Sequence, residues 1–217
     1  AELNFNKAIE IHSTNEKFYY NLALVQSRLK KYNIAIDNYK KSIKINQNYT
    51  KAKYNLSRLY LATENFEKGW PLYYKPRIKW HKKIEKKPWY KERVKNFLKL
   101  NYWNGEKFEG KLFVYGEQGI GDQILHSSMI SDLYQKHSDI SLSVDDRLIS
   151  LFKRSFQYID VTSYSNNIDT KSNDCHIPLL SLGPFLRKSI NCFKPSAYII
   201  PSSGKVTYYK KILSNNK

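Results

Sequence analysis

Residues 8–12 have the sequence Ala8-Ile-Glu-Ile-His12, and residues 42–46 return to the pattern as Ser42-Ile-Lys-Ile-Asn46. Tyr20-Asn-Leu22 likewise returns as Tyr54-Asn-Leu56, and both offsets are 34 residues. A fixed period of this length is typical of repeat proteins in which helical hairpins stack on one another. The first part of the chain is therefore predicted to be an array of helices.

Small residues keep the same register as this repeat. Ala23 corresponds to Ser57, and Ala35 corresponds to Gly69. Small side chains at these places let two packed helices approach closely, while the aromatic residues between them fill the remaining space. The pattern resembles the tetratricopeptide repeat, and it predicts an array of α-hairpins over residues 1–76 that is incomplete at its N-terminus.

Asn21 and Asn55 occupy the same position on successive first helices of the predicted hairpins. The resemblance implies that these helices line the concave face of the array, where asparagines can hold the backbone of an extended peptide. The alternative is that both are ordinary solvated side chains in an asparagine-rich protein. The expected partner of this face is a peptide or a protein segment.

Composition excludes several classes of protein. Of the 217 residues 41% are hydrophobic and 15% aromatic, which is enough for a packed core. No apolar run reaches the length of a membrane span. The two cysteines form no disulfide framework, so we expect a protein of the reducing cytoplasm. Cys175, Cys192 and five scattered histidines form none of the usual zinc spacings, so no metal site is predicted.

The net charge of +18 has two readings. Residues 68–95 hold eleven lysines and arginines against two glutamates, and residues 187–217 add seven without any acid. A basic stripe can bind nucleic acid, anionic lipid or phosphate-bearing substrates. Alternatively, the lysines simply cover solvated faces. Because no nucleic-acid recognition motif is present, nucleic acid is not the expected partner.

The pattern changes after Gly110, where short apolar strands begin to alternate with helices. This alternation predicts a parallel, Rossmann-like sheet covered by helices, and hence a fold of the class α + α/β. The predicted strands are Lys111–Tyr115, Ile140–Val144, Tyr158–Thr162 and His176–Leu179. The predicted helices are Asp122–His137, Arg147–Phe156, Ser181–Arg187 and Val206–Leu213. The inner face of the first of these helices is predicted to consist of Ile124, Leu125, Ser128, Met129 and Leu133.

A glycine-rich turn, Gly116–Asp122, follows the first of these strands. Such turns can bring backbone N–H groups up to an anion. Ile124 stands where a dinucleotide fingerprint needs its third glycine, and the Gly-Lys-Ser/Thr of a P-loop is missing. Neither an NAD nor an ATP site is predicted, and no cofactor is expected. Asp145, after the second strand, is either a helix cap or a ribose-binding acid.

Two strings in this half, Trp103-Asn-Gly-Glu106 and Gly116-Glu-Gln-Gly-Ile-Gly-Asp-Gln-Ile124, resemble bacterial tetratricopeptide proteins with a glycosyltransferase family 9-like (heptosyltransferase-like) domain. The resemblance implies a GT-B architecture with an acceptor half and a donor half. It implies a Rossmann-like acceptor domain at 109–202 and the start of an interdomain helix at 203–217. Residues 77–108, which are basic and rich in tryptophan, break the repeat and are predicted to connect the two parts. The donor-binding half is expected to lie beyond this chain.

The same resemblance implies transfer of a sugar from a nucleotide-sugar donor to a hydroxyl of a glycan or protein acceptor. Asp122 corresponds to the proposed base, because an attacking hydroxyl must lose its proton. The alternative is that Asp122 only caps its helix. Expected acceptor contacts are Glu117, Gln118, Gly119, Gly121 and His126. Without the donor half we expect this chain to be inactive alone. A second functional hypothesis is a tetratricopeptide interaction module with a non-catalytic α/β platform.

Overall fold

The computed structural model of the chain describes residues 1–73, 97, 99–164, 166–167, 169–172 and 174–214. Residue contacts divide the chain into a helical unit, 1–84 with 187–193, and an α/β unit, 85–186 with 194–217. Most of the predicted connector at 77–108, with Trp80 and Trp89, lies outside the described residues. Within the described ranges, no helix is both long and apolar enough to span a bilayer.

The helical unit consists of successive hairpins, as the repeat predicts. Asn15 caps the second helix, its side chain accepting a hydrogen bond from the Lys17 amide at 3.0 Å. Turns of three or four residues join the helices, which forces each to pack on its neighbour. The described helices are α1 (Glu2–Ile11), α2 (Glu16–Arg28), α3 (Tyr32–Ile45) and α4 (Thr50–Ala62), followed by helical residues 66–73.

The small residues of the repeat lie where the helices cross. Ala23, Ala35 and Ser57 are fully buried. A Cβ added to Gly69 would lie closer than 3.0 Å to the Leu61 side chain, so a larger residue would push the helices apart. The predicted packing register is confirmed. The largest fully buried side chain in this core is Tyr39, which packs against Tyr20 with ring centroids 6.0 Å apart.

The ends of α2 and α4 have the same backbone geometry. Lys30 and Glu64, which are 34 residues apart, both have a φ of +60°. The Lys31 amide donates to the Gln26 carbonyl at 2.9 Å, and the Asn65 amide donates to the corresponding carbonyl at 2.8 Å. This is the left-handed helix ending that glycine usually provides. Non-glycine side chains are strained in this region of φ.

Replacing either residue by glycine is expected to stabilise the helical unit. Lys30→Gly and Glu64→Gly each remove left-handed strain and keep both backbone hydrogen bonds, so we expect a gain of about 0.5–1 kcal/mol per site. Urea unfolding followed by circular dichroism measures this gain. Asn48→Gly, in the turn between α3 and α4, has no positive φ to relieve and serves as the control. A loss of stability in both variants would contradict the assignment.

Residues 187–193 pack against helical residues 66–73 and complete this unit. The indole Nε1 of Trp70 donates to the Arg187 carbonyl at 2.5 Å. The rings of Phe66 and Phe193 lie 5.5 Å apart, and the Arg187 guanidinium lies over the Phe193 ring at 5.3 Å. Trp70 is therefore a packing residue. Its partner is 117 positions away in the chain, which no local pattern reveals.

The α/β unit contains a sheet of five parallel strands in the order β1-β5-β2-β3-β4. A small parallel sheet with helices is the predicted class of fold. Leu112 of the central strand pairs with Ile140 on one side and with Cys175 on the other. The short edge strand β1 was not predicted. The strands are β1 (Asn101–Tyr102), β2 (Leu112–Tyr115), β3 (Ile140–Val144), β4 (Asp160–Ser163) and β5 (Cys175–Pro178).

The helix predicted over Asp122–His137 is wrong in two respects. It is divided into Ile120–His126, a 3-10 turn and Ile130–Tyr134. Leu125, predicted on the inner face, is 62% exposed, whereas Gln123 is 1% exposed. The helix buries its polar Gln123 because that side chain has hydrogen-bond partners inside. Later helices are Ile149–Ser155, Gly183–Leu186 and Ser203–Ser214.

The Trp103–Glu106 string forms a turn before β2. The buried Trp103 indole donates to the Glu106 carbonyl at 2.8 Å and packs on Phe185. Gly105 has a φ of +93°, and a Cβ there would lie closer than 3.0 Å to the Phe185 ring. Packing and backbone geometry thus account for this string. Asp145 caps the helical segment after β3, accepting from the Arg147 amide at 3.1 Å, which confirms the cap interpretation.

Candidate functional site

A groove between α2 and α4 is the first candidate site. Its volume is about 260 Å³. One of its lining residues is the buried Tyr39 of α3. Burial raises the pKa of the Tyr39 phenol, which therefore stays neutral at physiological pH. Leu24, Ser27 and Arg28 come from α2, and Asn55, Arg58, Leu59 and Ala62 come from α4.

The two predicted asparagines of this face, Asn21 and Asn55, have different surroundings. Asn55 lines the groove, and its amide nitrogen donates to the Tyr20 hydroxyl at 3.1 Å. Asn21, at the corresponding place on α2, is half-buried and does not line this groove. Tyr20 also contacts Tyr39 and Tyr49. Asn55 is thus held in position by an aromatic cluster, and the two asparagines do not meet in one cavity.

The second candidate site is the edge of the sheet where the parallel strands end. The strand order reverses between β2 and β5, because β3 and β4 lie on one side of β2 while β5 lies on the other. In open α/β sheets, ligands bind in the crevice that forms at such a reversal. The turn Gly116–Asp122 leaves β2 at this place, and Asp145 follows β3 at the same edge.

Gln123 connects these two segments. Its side-chain Nε2 donates to the Gln118 carbonyl at 2.9 Å, and its Oε1 accepts from the Asp145 amide at 3.1 Å. The Gly116 amide donates to the Ser143 carbonyl at 2.9 Å, and the Tyr164 hydroxyl donates to the Gly116 carbonyl at 2.7 Å. The start of the glycine-rich turn is therefore held from both sides.

Asp122 is an exposed residue in the first turn of the helix Ile120–His126. That helix is capped at Gly119 without a side-chain hydrogen bond, so Asp122 does not occupy the cap position. The Asp122 carboxylate oxygen lies 3.6 Å from the place that a Cβ on Gly119 would take. The Asp122 carboxylate accepts no hydrogen bond from any of the described residues.

The five predicted acceptor contacts lie around this turn but differ in exposure. Glu117 is buried, while Gln118 and His126 are half-buried. Gly119 and Gly121 are exposed, and no heavy atom lies within 4 Å of a Cβ added to Gly121. The protein's own packing therefore does not require glycine at position 121.

Sequence reasoning missed Gln123, Tyr164 and the two groove arginines. The signal for Gln123 is a helix face formed by Gln123, Ser127 and Ile130, which are buried at spacings of four and three. For the arginines, the signal is a departure from the repeat. Position 24 is leucine in one repeat and position 58 is arginine in the next, whereas positions 28 and 62 show the opposite exchange, Arg28 to Ala62.

Helical hairpins, buried small residues and a groove along the first helices define a tetratricopeptide-type array, and residues 16–49 match the family model of the tetratricopeptide repeat. The match covers α2 and α3 with the turns that follow them. It leaves the α/β unit outside. The chain therefore contains a tetratricopeptide repeat followed by a small parallel sheet with helices.

The chain is also similar to two proteins along part of its length. Protein FlbA of Caulobacter vibrioides is 28% identical over 128 residues, covering 50% of this chain and 21% of FlbA. The crystal structure of YrrB, a TPR protein with an unusual peptide-binding site, matches with a TM-score of 0.34 and 22% identity. That match covers 36% of this chain and 40% of YrrB. The chain thus spans about a fifth of FlbA and two fifths of YrrB.

Proposed function

We propose that the helical unit binds an extended segment of a partner protein in the groove between α2 and α4. The observation that carries the proposal is an open groove with an apolar base and hydrogen-bonding groups from both first helices. An extended segment exposes unpaired N–H and C=O groups, and Asn55 and Ser27 can meet them at the wall of the groove. Leu24 and Leu59 provide apolar surface for a partner side chain.

Filling the groove tests this proposal. Ala62→Tyr introduces a ring at an exposed helical position that lines the groove, so it should weaken binding at least about tenfold without unfolding α4. A library of displayed peptides selected on the full chain provides the ligands, and fluorescence anisotropy measures their affinity. Lys51→Tyr places the same ring at an exposed position of α4 outside the groove, as the control.

Equal binding by the two variants would mean that the selected peptides bind elsewhere. A library that yields no ligand whose binding depends on residue 62 would refute the interaction function of this groove.

We also propose that the α/β unit is the acceptor half of a GT-B glycosyltransferase, with Asp122 as the base. One observation favours this second candidate. The strand order β4-β3-β2-β5 is that of the first half of a doubly wound, Rossmann-like sheet, and the glycine-rich turn lies at its point of reversal. An exposed carboxylate without a hydrogen-bond partner among the described residues is available to accept a proton from an acceptor hydroxyl.

Under this proposal, Asp122→Asn should lower turnover of the full-length protein at least about tenfold while the fold is retained. Release of nucleoside diphosphate from a panel of nucleotide-sugars, with and without candidate glycan and protein acceptors, measures turnover. Asp139→Asn is the matched control, because Asp139 is an exposed acid that precedes β3 at the opposite edge of the sheet. Equal turnover of both variants would show that Asp122 is not the base.

A further inference from the structure

We propose that the segment bound in the α2–α4 groove is acidic, with carboxylates that pair with Arg28 and Arg58. This inference rests on the proposed interaction function and names the chemistry of the partner. Both guanidiniums belong to exposed residues that line the groove. No carboxylate is among the residues that line it. The groove therefore presents positive charge beside an apolar base.

The arrangement of these charges follows from the exchange between repeats. Each first helix contributes one arginine and one apolar residue at equivalent positions, in opposite order: Leu24 and Arg28 on α2, Arg58 and Ala62 on α4. A segment crossing both helices would meet a cation and an apolar side chain from each. This favours a sequence in which acidic and aliphatic residues alternate.

Within the described residues, neither arginine has an internal acidic partner. Two lysines of this unit do have acidic partners, Lys31 with Glu2 at 2.7 Å and Lys40 with Asp37 at 3.5 Å. The Arg58 guanidinium lies 5.9 Å from the centroid of the Tyr54 ring. A planar guanidinium forms bidentate hydrogen bonds with a carboxylate, which a lysine ammonium cannot do.

Nucleic acid fits this groove less well than an acidic peptide. Proteins that hold single strands stack the bases on accessible aromatic rings. Tyr39, the aromatic residue lining the groove, is 1% exposed, so its ring faces are covered. At about 260 Å³ the groove is also smaller than typical pockets for whole small molecules, and it suits side chains of a longer ligand.

The test compares three labelled peptides of equal length that alternate leucine with aspartate, serine or lysine. Fluorescence anisotropy with the full chain should show the aspartate peptide binding at least about tenfold tighter than the serine peptide, with affinity falling as salt is raised. The lysine peptide should not bind. Arg28→Ala and Arg58→Ala should each lower the affinity for the aspartate peptide about tenfold. Replacing the same arginines by lysine should cause a smaller loss of affinity.

Matched controls separate this pairing from the general positive charge of the protein. Lys40→Ala and Lys44→Ala remove exposed cations of α3 that do not line the groove, and they should leave affinity within about twofold. An equal loss of affinity in these control variants would refute the proposal that the partner is acidic. Displacement of the peptide by a single-stranded oligonucleotide that binds at the arginines would refute it as well.

Equal binding of the serine and aspartate peptides, both blocked by Ala62→Tyr, would also overturn the acidic preference, yet it would leave the interaction module intact. If neither these peptides nor library ligands depend on residue 62, the proposed function itself fails.

Discussion

Gly116→Ala is expected to destabilise the α/β unit by about 3 kcal/mol, because the added methyl group would overlap a side chain that cannot move away without loss. A Cβ at this position would lie closer than 3.0 Å to three atoms of the Gln123 side chain. Gln123 is 1% exposed, and the close packing of protein interiors leaves a buried side chain little space in which to rotate.

The backbone of Gly116 cannot shift to relieve this overlap either. Its amide is bound to the Ser143 carbonyl of β3, and its carbonyl accepts from the Tyr164 hydroxyl. Relief of the overlap therefore requires Gln123 to abandon its bonds to the Gln118 carbonyl and the Asp145 amide. Buried backbone groups that lose their partners carry the full cost of desolvation, about 1–3 kcal/mol each.

A double-variant cycle measures this coupling. Gln123→Ala alone breaks the same two hydrogen bonds, so adding Gly116→Ala to it should cost little more, and the coupling free energy should exceed about 1 kcal/mol. Urea unfolding monitored by near-ultraviolet circular dichroism provides the values. Additive effects of the two substitutions would show that Gln123 does not hold the turn.

Gly121→Ala is the matched control five positions along the same turn. No heavy atom lies within 4 Å of its added Cβ, and the residue is helical, so alanine should raise stability by about 0.5–1 kcal/mol. The same substitution thus has opposite signs at the two glycines. If the glycosyltransferase proposal holds, Gly121→Ala should also slow transfer in the full-length protein, because the space beside it belongs to the acceptor.

The sequence predicts elements that depend on local periodicity. The offset of 34 residues locates the hairpins and the buried Ala23, Ala35 and Ser57, because the small residues and the helix crossings share one register. Strand β3 is predicted at its observed bounds, Ile140–Val144, since a buried parallel strand is a short apolar run. The predicted boundaries of β2, β4 and β5 differ from the observed ones by one or two residues.

Features that depend on distant contacts are not predictable in this way. Strand β1 has two residues and acquires its conformation only by pairing with β5, more than seventy positions later. The segment 187–193 packs on helical residues 66–73 through Trp70 and Phe66, which no periodic signal links to it. Gln123 is polar, and the apolar pattern does not predict it on the inner face, because its burial depends on partners in two other segments.

The same distinction applies to the candidate sites, because only residues with a local or repeated pattern are predictable from the sequence. The glycine-rich turn was found because its spacing is local, and the asparagines were found because they repeat. The groove arginines break the repeat, and a search for repeated residues passes over them. In a repeat protein the shared positions build the stacked framework, so residues that differ between repeats leave no periodic signal in the sequence.

Stability of the α/β unit is expected to fall by roughly 3 kcal/mol as pH is lowered from 7 to 4, through the protonation of His176. His176 lies on β5 and is 7% exposed, between Tyr115 and Tyr102 at ring-centroid distances of 5.8 and 5.3 Å. Its Nδ1 has no hydrogen-bond partner among the described residues. Burial without a compensating acid lowers the pKa of this imidazole from 6.5 to about 4.

The direction follows from proton binding in the two states. Between pH 4 and 6.5 the unfolded chain binds a proton at His176 and the folded unit does not, so acid favours unfolding in this window. The contribution is complete above pH 6.5 and lost as pH falls towards 4.

His176→Phe should remove this part of the pH dependence while preserving the ring contacts with both tyrosines. Phenylalanine has no nitrogen to desolvate, so the variant should be at least as stable as the parent at pH 7 and clearly more stable at pH 4.5. Urea unfolding at several pH values measures the difference, in which the carboxylates common to both proteins cancel. His12→Phe, at the exposed end of α1, should follow the parent curve. Parallel curves for His176→Phe and the parent would mean that His176 binds its proton over the same pH range in the folded and unfolded states, so that burial does not lower its pKa.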